Sequence, residues 1–220
     1  MSRLRFSITM SLDGFMAGPN QSLDNPLGVD AMRLHDWAVA LEAFRKTHGQ
    51  SGGAENASTR IMDEMFENVG AVIMGRNMFG PERGPWLNDD WKGWWGDDPP
   101  YHMPVFVLTH HARQPQPMAG GTTFHFVTDG IHSALRRARE AAAGKDVLIG
   151  GGASTIRQFL AAGLVDEANV SLVPVVLGGG ERPFDELGGA GLMLEQSRVI
   201  DAPGVTHIKY QVRAGSATRE

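Results

Sequence analysis

Cysteine is absent from the 220 residues. That removes disulfides, thiolate nucleophiles, Cys-ligated zinc and iron–sulfur clusters together. Positive charge is also scarce: 20 Lys and Arg stand against 25 Asp and Glu, a formal net charge of -5. A chain with that balance has no basic field to draw in a polyanion, so no nucleic acid partner is expected. A few local cations and backbone amides still suffice for a phosphorylated small molecule. No apolar run approaches the roughly 20 residues that a membrane-crossing helix needs, so no membrane partner is expected either. The apolar stretch opening at Leu4 is broken by Ser7 and Thr9 and is too short for a secretion signal. The cytoplasm is the expected compartment.

What remains is the composition of an ordinary globular protein, 42% hydrophobic and 20% charged. The length supports one well-buried core, and no composition shift or repeat divides it, so residues 1–220 are read as a single domain. Short β-like runs occur at 4–10, 71–74, 105–109, 124–127, 146–149 and 168–176. Two more, at 192–199 and 206–212, flank Pro203-Gly204 and read as an antiparallel hairpin. Between them lie helix-period stripes. Leu34, Trp37, Ala38, Leu41 and Phe44 form one, and Ile61, Met62, Met65, Phe66 and Val69 a second. Ile131, Ala134, Leu135 and Ala138 form a third, with Arg136, Arg137 and Arg139 on its solvated side, and a fourth helix runs from Ser154 toward Gly163. The expected class is α/β, three-layered: a mostly parallel mixed sheet with helices on both faces and an antiparallel C-terminal hairpin.

The segment from 80 to 103 is too long for an ordinary connection and holds four of the five tryptophans. Disorder lacks aromatics, so this loop is either a pocket wall or a satellite apolar cluster; Trp86 and Trp91 are the pocket candidates.

Chemistry-bearing residues gather at strand ends. Val147-Leu148-Ile149 runs into Gly150-Gly151-Gly152 and then directly into a helix through Ala153, Ser154 and Thr155. Glycine lets backbone approach a ligand closely, and the new helix offers unpaired amides with the positive end of its dipole. The alternative is a tight turn capped by Ser154. Thr155 replaces the third glycine of a dinucleotide fingerprint, no acid follows at the ribose distance, and no P-loop motif occurs. A second strand ends at Gly75, followed by Arg76 and Asn77, where a guanidinium is positioned for a further phosphate. A third ends at Thr109 and His110. His110 and His111 are adjacent and point apart in extended chain, so no metal is expected.

In order, Met10-Ser11-Leu12-Asp13-Gly14-Phe15-Met16-Ala17-Gly18, Ile73-Met74-Gly75-Arg76, Val107-Leu108-Thr109, Ile149-Gly150-Gly151-Gly152 and Pro174-Val175-Val176-Leu177-Gly178-Gly179-Gly180 span nearly the whole chain. Together they resemble the dihydrofolate-reductase-like superfamily, and within it the branch containing the reductase domain of riboflavin biosynthesis. The resemblance implies an NADPH-dependent oxidoreductase passing hydride to a small heterocyclic or carbonyl substrate. Met10, Ser11 and Ala17 would border the nicotinamide, and Gly75, Arg76 and Asn77 would face the phosphates. Thr109 and His110 would sit by the adenosine 2′-phosphate. Gly150–Gly151 would carry the family's cis peptide, with Gly151, Gly152, Ala153, Ser154 and Thr155 along the diphosphate. Asp13, Trp86 and Trp91 would line the substrate pocket, and a homodimer is implied.

For a proton-relay acid the candidates are Asp30 and then Asp36, with the loop tryptophans expected to raise the pKa of Asp30. Their other role is helix-terminal charge or a solvated face. Riboflavin reductases carry a glutamate beside the paired glycines, and this chain has Gly150 there. Riboflavin-pathway 5-amino-6-(5-phosphoribosylamino)uracil reduction and dihydrofolate reduction therefore stand behind a reductase of open substrate. The alternative of another class is a non-catalytic NADP-binding module.

Overall fold

The apolar runs become the strands β1 (Leu4–Ser11), β2 (Val69–Gly75), β3 (Pro104–Leu108), β4 (Gln116–Pro117), β5 (Thr123–Val127), β6 (Asp146–Gly151), β7 (Glu167–Val173), β8 (Met193–Ala202) and β9 (Val205–Arg213). The structure is a computed structural model that describes residues 2–88, 90–188 and 191–213. Among the described residues the nine strands lie in one sheet, ordered β4-β5-β3-β2-β6-β1-β7-β9-β8. From β5 across to β7 every pairing is parallel, and β4, β9 and β8 add antiparallel edges. The expected architecture holds, including the hairpin turning at Pro203-Gly204.

Side chains of a strand alternate between faces, and the sheet uses both. On β2, Ala71 and Ile73 join one core cluster while Val72 and Met74 join another. On β6, Val147 and Ile149 take the first side and Leu148 the second. The first cluster is closed by α5 (Ile131–Ala142) and α6 (Ala153–Ala161), through Ala134, Leu135, Ala138, Ile156, Phe159 and Leu160. Over the second lie α4 (Arg76–Phe79), through Phe79, and the tryptophan-rich loop, whose Trp86, Trp91 and Trp95 pack against it. Much of that loop is thus a satellite of the core.

The helical stripe at 34–44 is broken into a 3-10 turn (Ala31–His35), α1 (Asp36–Val39) and α2 (Glu42–Thr47). Backbone pairing interrupts it: Leu41 is extended and bridges to Ala54, with Ala54 N donating to Ala40 O and Glu42 N to Ala54 O. The stripe beginning at Ile61 belongs to α3 (Ala57–Glu64), and its last member, Val69, already opens β2. Asn56 caps α3, accepting from Ser58 N at 2.8 Å.

His207 of β9 is buried beneath the start of α3. Ser58 Oγ lies 2.9 Å from its Nε2 and Ser171 Oγ 2.8 Å from its Nδ1, with the Trp37 ring edge-on at 4.8 Å. Burial first, and the charge of Arg198 second, lower its pKa from 6.5 to about 4. In the unfolded chain the imidazole regains its ordinary affinity for protons, so acid favours unfolding. The stability His207 contributes is complete above about pH 6.5 and is lost as the pH falls toward about 4. Urea unfolding midpoints should therefore decline across that window, and His207→Gln should flatten the decline. It should not abolish it, because His35 and His125 are shifted the same way by burial. An unchanged slope in the variant would show that His207 is not the responsible group.

Candidate functional site

Parallel strands end on one side of a sheet, so β1, β2, β3, β6 and β7 deliver their C-terminal residues to a common edge. Ligands of open α/β sheets bind at this edge. The tightest junction is between β2 and β6. Met74 pairs with Gly151, and a Cβ placed on Gly75 would collide with Thr155 Oγ1 on the first turn of α6. Gly75 has φ -80, so space rather than backbone conformation forbids a side chain there. Gly151 is the converse case: a Cβ would meet only Met78 Sδ at 3.8 Å, but its φ of +124 is one that other residues rarely adopt.

The cis peptide joins Gly151 to Gly152, one residue later than the resemblance implied. The reason is that the β6 ladder runs through Gly151 before the chain turns. Gly152 then caps α6, with no side chain closing that end, and its carbonyl accepts from Thr155 N and Ile156 N, both at 3.1 Å. The Ala153 and Ser154 amides precede these bonds at the positive end of the helix dipole. Ala153 and Thr155 are buried, Ser154 is exposed, and Gly150 is half-buried.

At the end of β1, Ser11 is fully buried; its Oγ donates to Asp13 at 2.6 Å and accepts from Phe15 N at 2.9 Å. Asp13 also accepts from Leu177 N at 3.1 Å and Gly178 N at 2.7 Å. The Ser11 hydroxyl, then these amides, hold its carboxyl down at about 2. Asp13 thus clasps the loop after β7, and a backbone bridge between Ala17 and Glu181 continues the clasp. Met10 is half-buried against the first core.

Beyond β2, Asn77 Nδ2 donates to Gln21 Oε1 at 3.1 Å, tying α4 to the loop after β1. Arg76 Nη1 reaches Thr109 Oγ1 at 3.4 Å, while its Nε and Nη2 are buried without a hydrogen-bond partner. The guanidinium lies 3.1 Å from the centroid of the Trp86 ring. Trp86 and His110 line an open cleft of about 900 Å³ beside the end of β3. Trp91 instead anchors its loop, donating from Nε1 to Phe79 O at 3.0 Å.

Asp30 and Asp36 are both exposed. Asp30 precedes the 3-10 turn in a left-handed conformation with no side-chain cap, and Asp36 is the acid in the first turn of α1. The loop tryptophans do not surround Asp30. They pack on the cluster of β2, β3 and β5, whereas Ala31, Leu34 and Trp37 pack with Val173 and Val205 of β7 and β9.

Two cationic features were not singled out in the sequence. Arg113 lies four residues beyond Thr109, with its guanidinium carbon 4.8 Å from the Trp86 centroid; an arginine so close to a strand end was the available signal. Arg182 stacks at 4.2 Å over Phe15, and its carbonyl accepts from Arg157 Nη1 at 2.8 Å. That pairing joins residues 25 positions apart and has no local signature.

Residues 3–205 match the family model of the RibD C-terminal domain. The chain belongs to that family. A putative riboflavin biosynthesis protein from Shewanella sp. PV-4 superposes with a TM-score of 0.60 at 23% identity, covering 97% of this chain and 99% of its own. A pyrimidine reductase-like protein from Corynebacterium diphtheriae gives 0.55 at 12% identity, covering 96% and 92%. Dihydrofolate reductase from Enterococcus faecalis, complexed with NADP(H), gives 0.50 at 14% identity with 96% of both chains covered. The dihydrofolate-reductase-like fold is thus shown. In sequence, Bacillus subtilis (strain 168) YyaP is 37% identical over 86 residues, a match covering 39% of this chain and 45% of that protein.

The β2–β6 junction generates a direct test. Gly75→Ala should cost about 1–3 kcal/mol through overpacking, measured by denaturant unfolding. Adding Thr155→Ala removes the colliding hydroxyl and should restore most of the loss. A double variant no more stable than Gly75→Ala alone would mean that the contact is not what excludes the side chain.

Proposed function

We propose that the protein is an NADPH-dependent reductase acting on a small heterocyclic or carbonyl substrate. The observation that carries this reading is the junction at the sheet edge: an uncapped helix start, a glycine turn and a neighbouring strand end kept free of side chains. Such an arrangement brings backbone amides close to a diphosphate. When bound, the reduced nicotinamide would supply the hydride. The chain's own task is to hold donor and acceptor carbons in register away from water. Gly151, Gly152, Ala153, Ser154 and Thr155 would take the diphosphate, and Gly75, Arg76 and Asn77 the neighbouring phosphate groups. Met10, Ser11 and Ala17 would border the nicotinamide, their loop held by the Asp13 clasp. The buried, unpartnered nitrogens of Arg76 fit a phosphorylated ligand, because an unmet buried donor is costly until something accepts from it.

Titration of NADPH with the purified protein, followed by its fluorescence, should saturate. Oxidation of the cofactor should then accelerate with at least one member of a carbonyl, pterin and aminopyrimidine panel. Saturable binding with no turnover on any compound would favour the non-catalytic NADP-binding module, and no binding would reject both readings.

A homodimer belongs to the same proposal. The C-terminal hairpin leaves Leu194 40% exposed and Val199 48% exposed, beside half-buried Ile208, Tyr210 and Val212 of β9. The ten-residue β8 is a sheet edge, and a long edge is normally covered or blunted by charge. Light scattering should give twice the chain mass, and Val199→Glu should yield monomers. A monomeric wild-type protein at micromolar concentration would refute it.

A further inference from the structure

Two segments distant in sequence zip together beside the end of β1. Leu12 N donates to Val175 O at 2.8 Å, Met16 N to Glu181 O at 2.9 Å, and Glu181 N to Ala17 O at 2.9 Å. A Cβ on Gly180 would collide with Ala17 O, so backbone meets backbone there with nothing between. One side chain reaches across from the loop after β7. The Arg182 guanidinium carbon lies 4.2 Å from the centroid of the Phe15 ring, and its Nε runs along Gly14, 3.9 Å from where a Cβ would stand. Phe15 is buried and tied to β1 in both directions. Its N–H donates to Ser11 Oγ at 2.9 Å, and its carbonyl accepts from Ser11 N at 2.8 Å.

The other end of this contact is anchored on α6. Arg157 Nη1 donates to Arg182 O at 2.8 Å; Pro183 beyond it is buried, and Phe184 packs against the first core cluster. Arg157 stands four residues after Ala153, so it lies one turn along on the same helix face. A continuous path results: the first turn of α6, Arg157, the Arg182 backbone, its guanidinium, Phe15 and the Ser11 end of β1. The first turn of α6 would take the diphosphate, and Ser11 and Ala17 would border the nicotinamide. The path therefore joins the two halves of the ligand. Asp13 and the Ala17–Glu181 bridge do not, because both tie the loop to the segment after β7 and stop there.

We infer that Arg157 and Arg182 are positioning residues that couple the start of α6 to the loop at 11–18. A dinucleotide held by its diphosphate then meets a loop already set for the nicotinamide. The inference rests on the reductase reading above and deepens it. Neither arginine touches the cofactor in this role. Holding the loop in advance removes the entropy loss of ordering it on binding, and that gain reaches only ligands that carry the nicotinamide half. An anchor that served stability alone would leave the balance between ligands with and without that half unchanged.

The test is a set of calorimetric dissociation constants for NADPH and for 2′,5′-ADP, which lacks the nicotinamide half, with amide hydrogen exchange of the nucleotide-free protein. Wild type should bind NADPH at least about tenfold tighter than 2′,5′-ADP. Arg182→Met should weaken NADPH about tenfold and 2′,5′-ADP less than about twofold, and Arg157→Met should give the same pattern. The double variant should lose no more than the worse single one, because both residues act on one link. Arg182→Lys keeps a cation over Phe15 and should recover part of the loss. Exchange at 11–18 should quicken in both Met variants without nucleotide, while 71–75 and 147–151 keep the wild-type rate. If a variant at Arg157 or Arg182 unfolds, Phe15→Leu removes the stack from its other side and should lower the NADPH preference likewise. Equal weakening of both ligands, additive losses in the double variant, an unchanged preference or unchanged exchange at 11–18 would overturn the inference while leaving the reductase reading intact. So would a wild type that gains no affinity from the nicotinamide half. A wild type that binds neither nucleotide would overturn both.

Discussion

The close approach of β2 and β6 at their C-terminal ends is the constraint on which the site depends. Pairing of Met74 with Gly151 sets Gly75 against Thr155, leaving no room for a side chain there, while the φ of +124 at Gly151 disfavours one on the other strand. The backbone is thereby exposed to whatever lies across the edge, and α6 begins there with its first amides uncapped. Parallel strand direction does the rest, bringing Ser11, Arg76 and Thr109 to the same side from elements distant in sequence.

Charge at this edge is distributed unevenly. On the β1 and β7 side, Asp13 is spent on the Ser11 hydroxyl and on amides of the neighbouring loop. On the β2 and β3 side, Arg76 and Arg113 meet on the Trp86 plate. An overall charge of -5 therefore conceals a local cationic end.

Much of this was legible in the sequence because strand ends and glycine runs are local signals. The strands, the C-terminal hairpin, and the turns at Gly75 and Gly150-Gly151-Gly152 all follow from alternation and from glycine placed where an apolar run stops. The fate of Leu34–Phe44 was not legible. Its helical spacing is genuine, but a backbone bridge from Leu41 to Ala54 breaks it, and such a bridge has no periodicity. The tryptophan-rich loop was recognised as ordered, yet its composition could not separate Trp86, which faces the cleft, from Trp91, which pins the loop to Phe79. Asp30 stood near an apolar stripe in sequence, whereas the aromatic cluster packs on β2, β3 and β5, strands away from the β7 and β9 residues that the Asp30 segment meets.

The proposed function requires a nicotinamide dinucleotide to lie along the C-terminal edge of the parallel strands. Amide hydrogen exchange with and without NADP⁺ reads that edge directly, independently of substrate. Protection should appear at 75–79, 109–113 and 150–156 together, with the opposite ends of β1, β2 and β6 unchanged. Protection confined to the polar cavity between α3 and the sheet, around Arg5, Glu64 and Arg198, or no protection at saturating nucleotide, would contradict it.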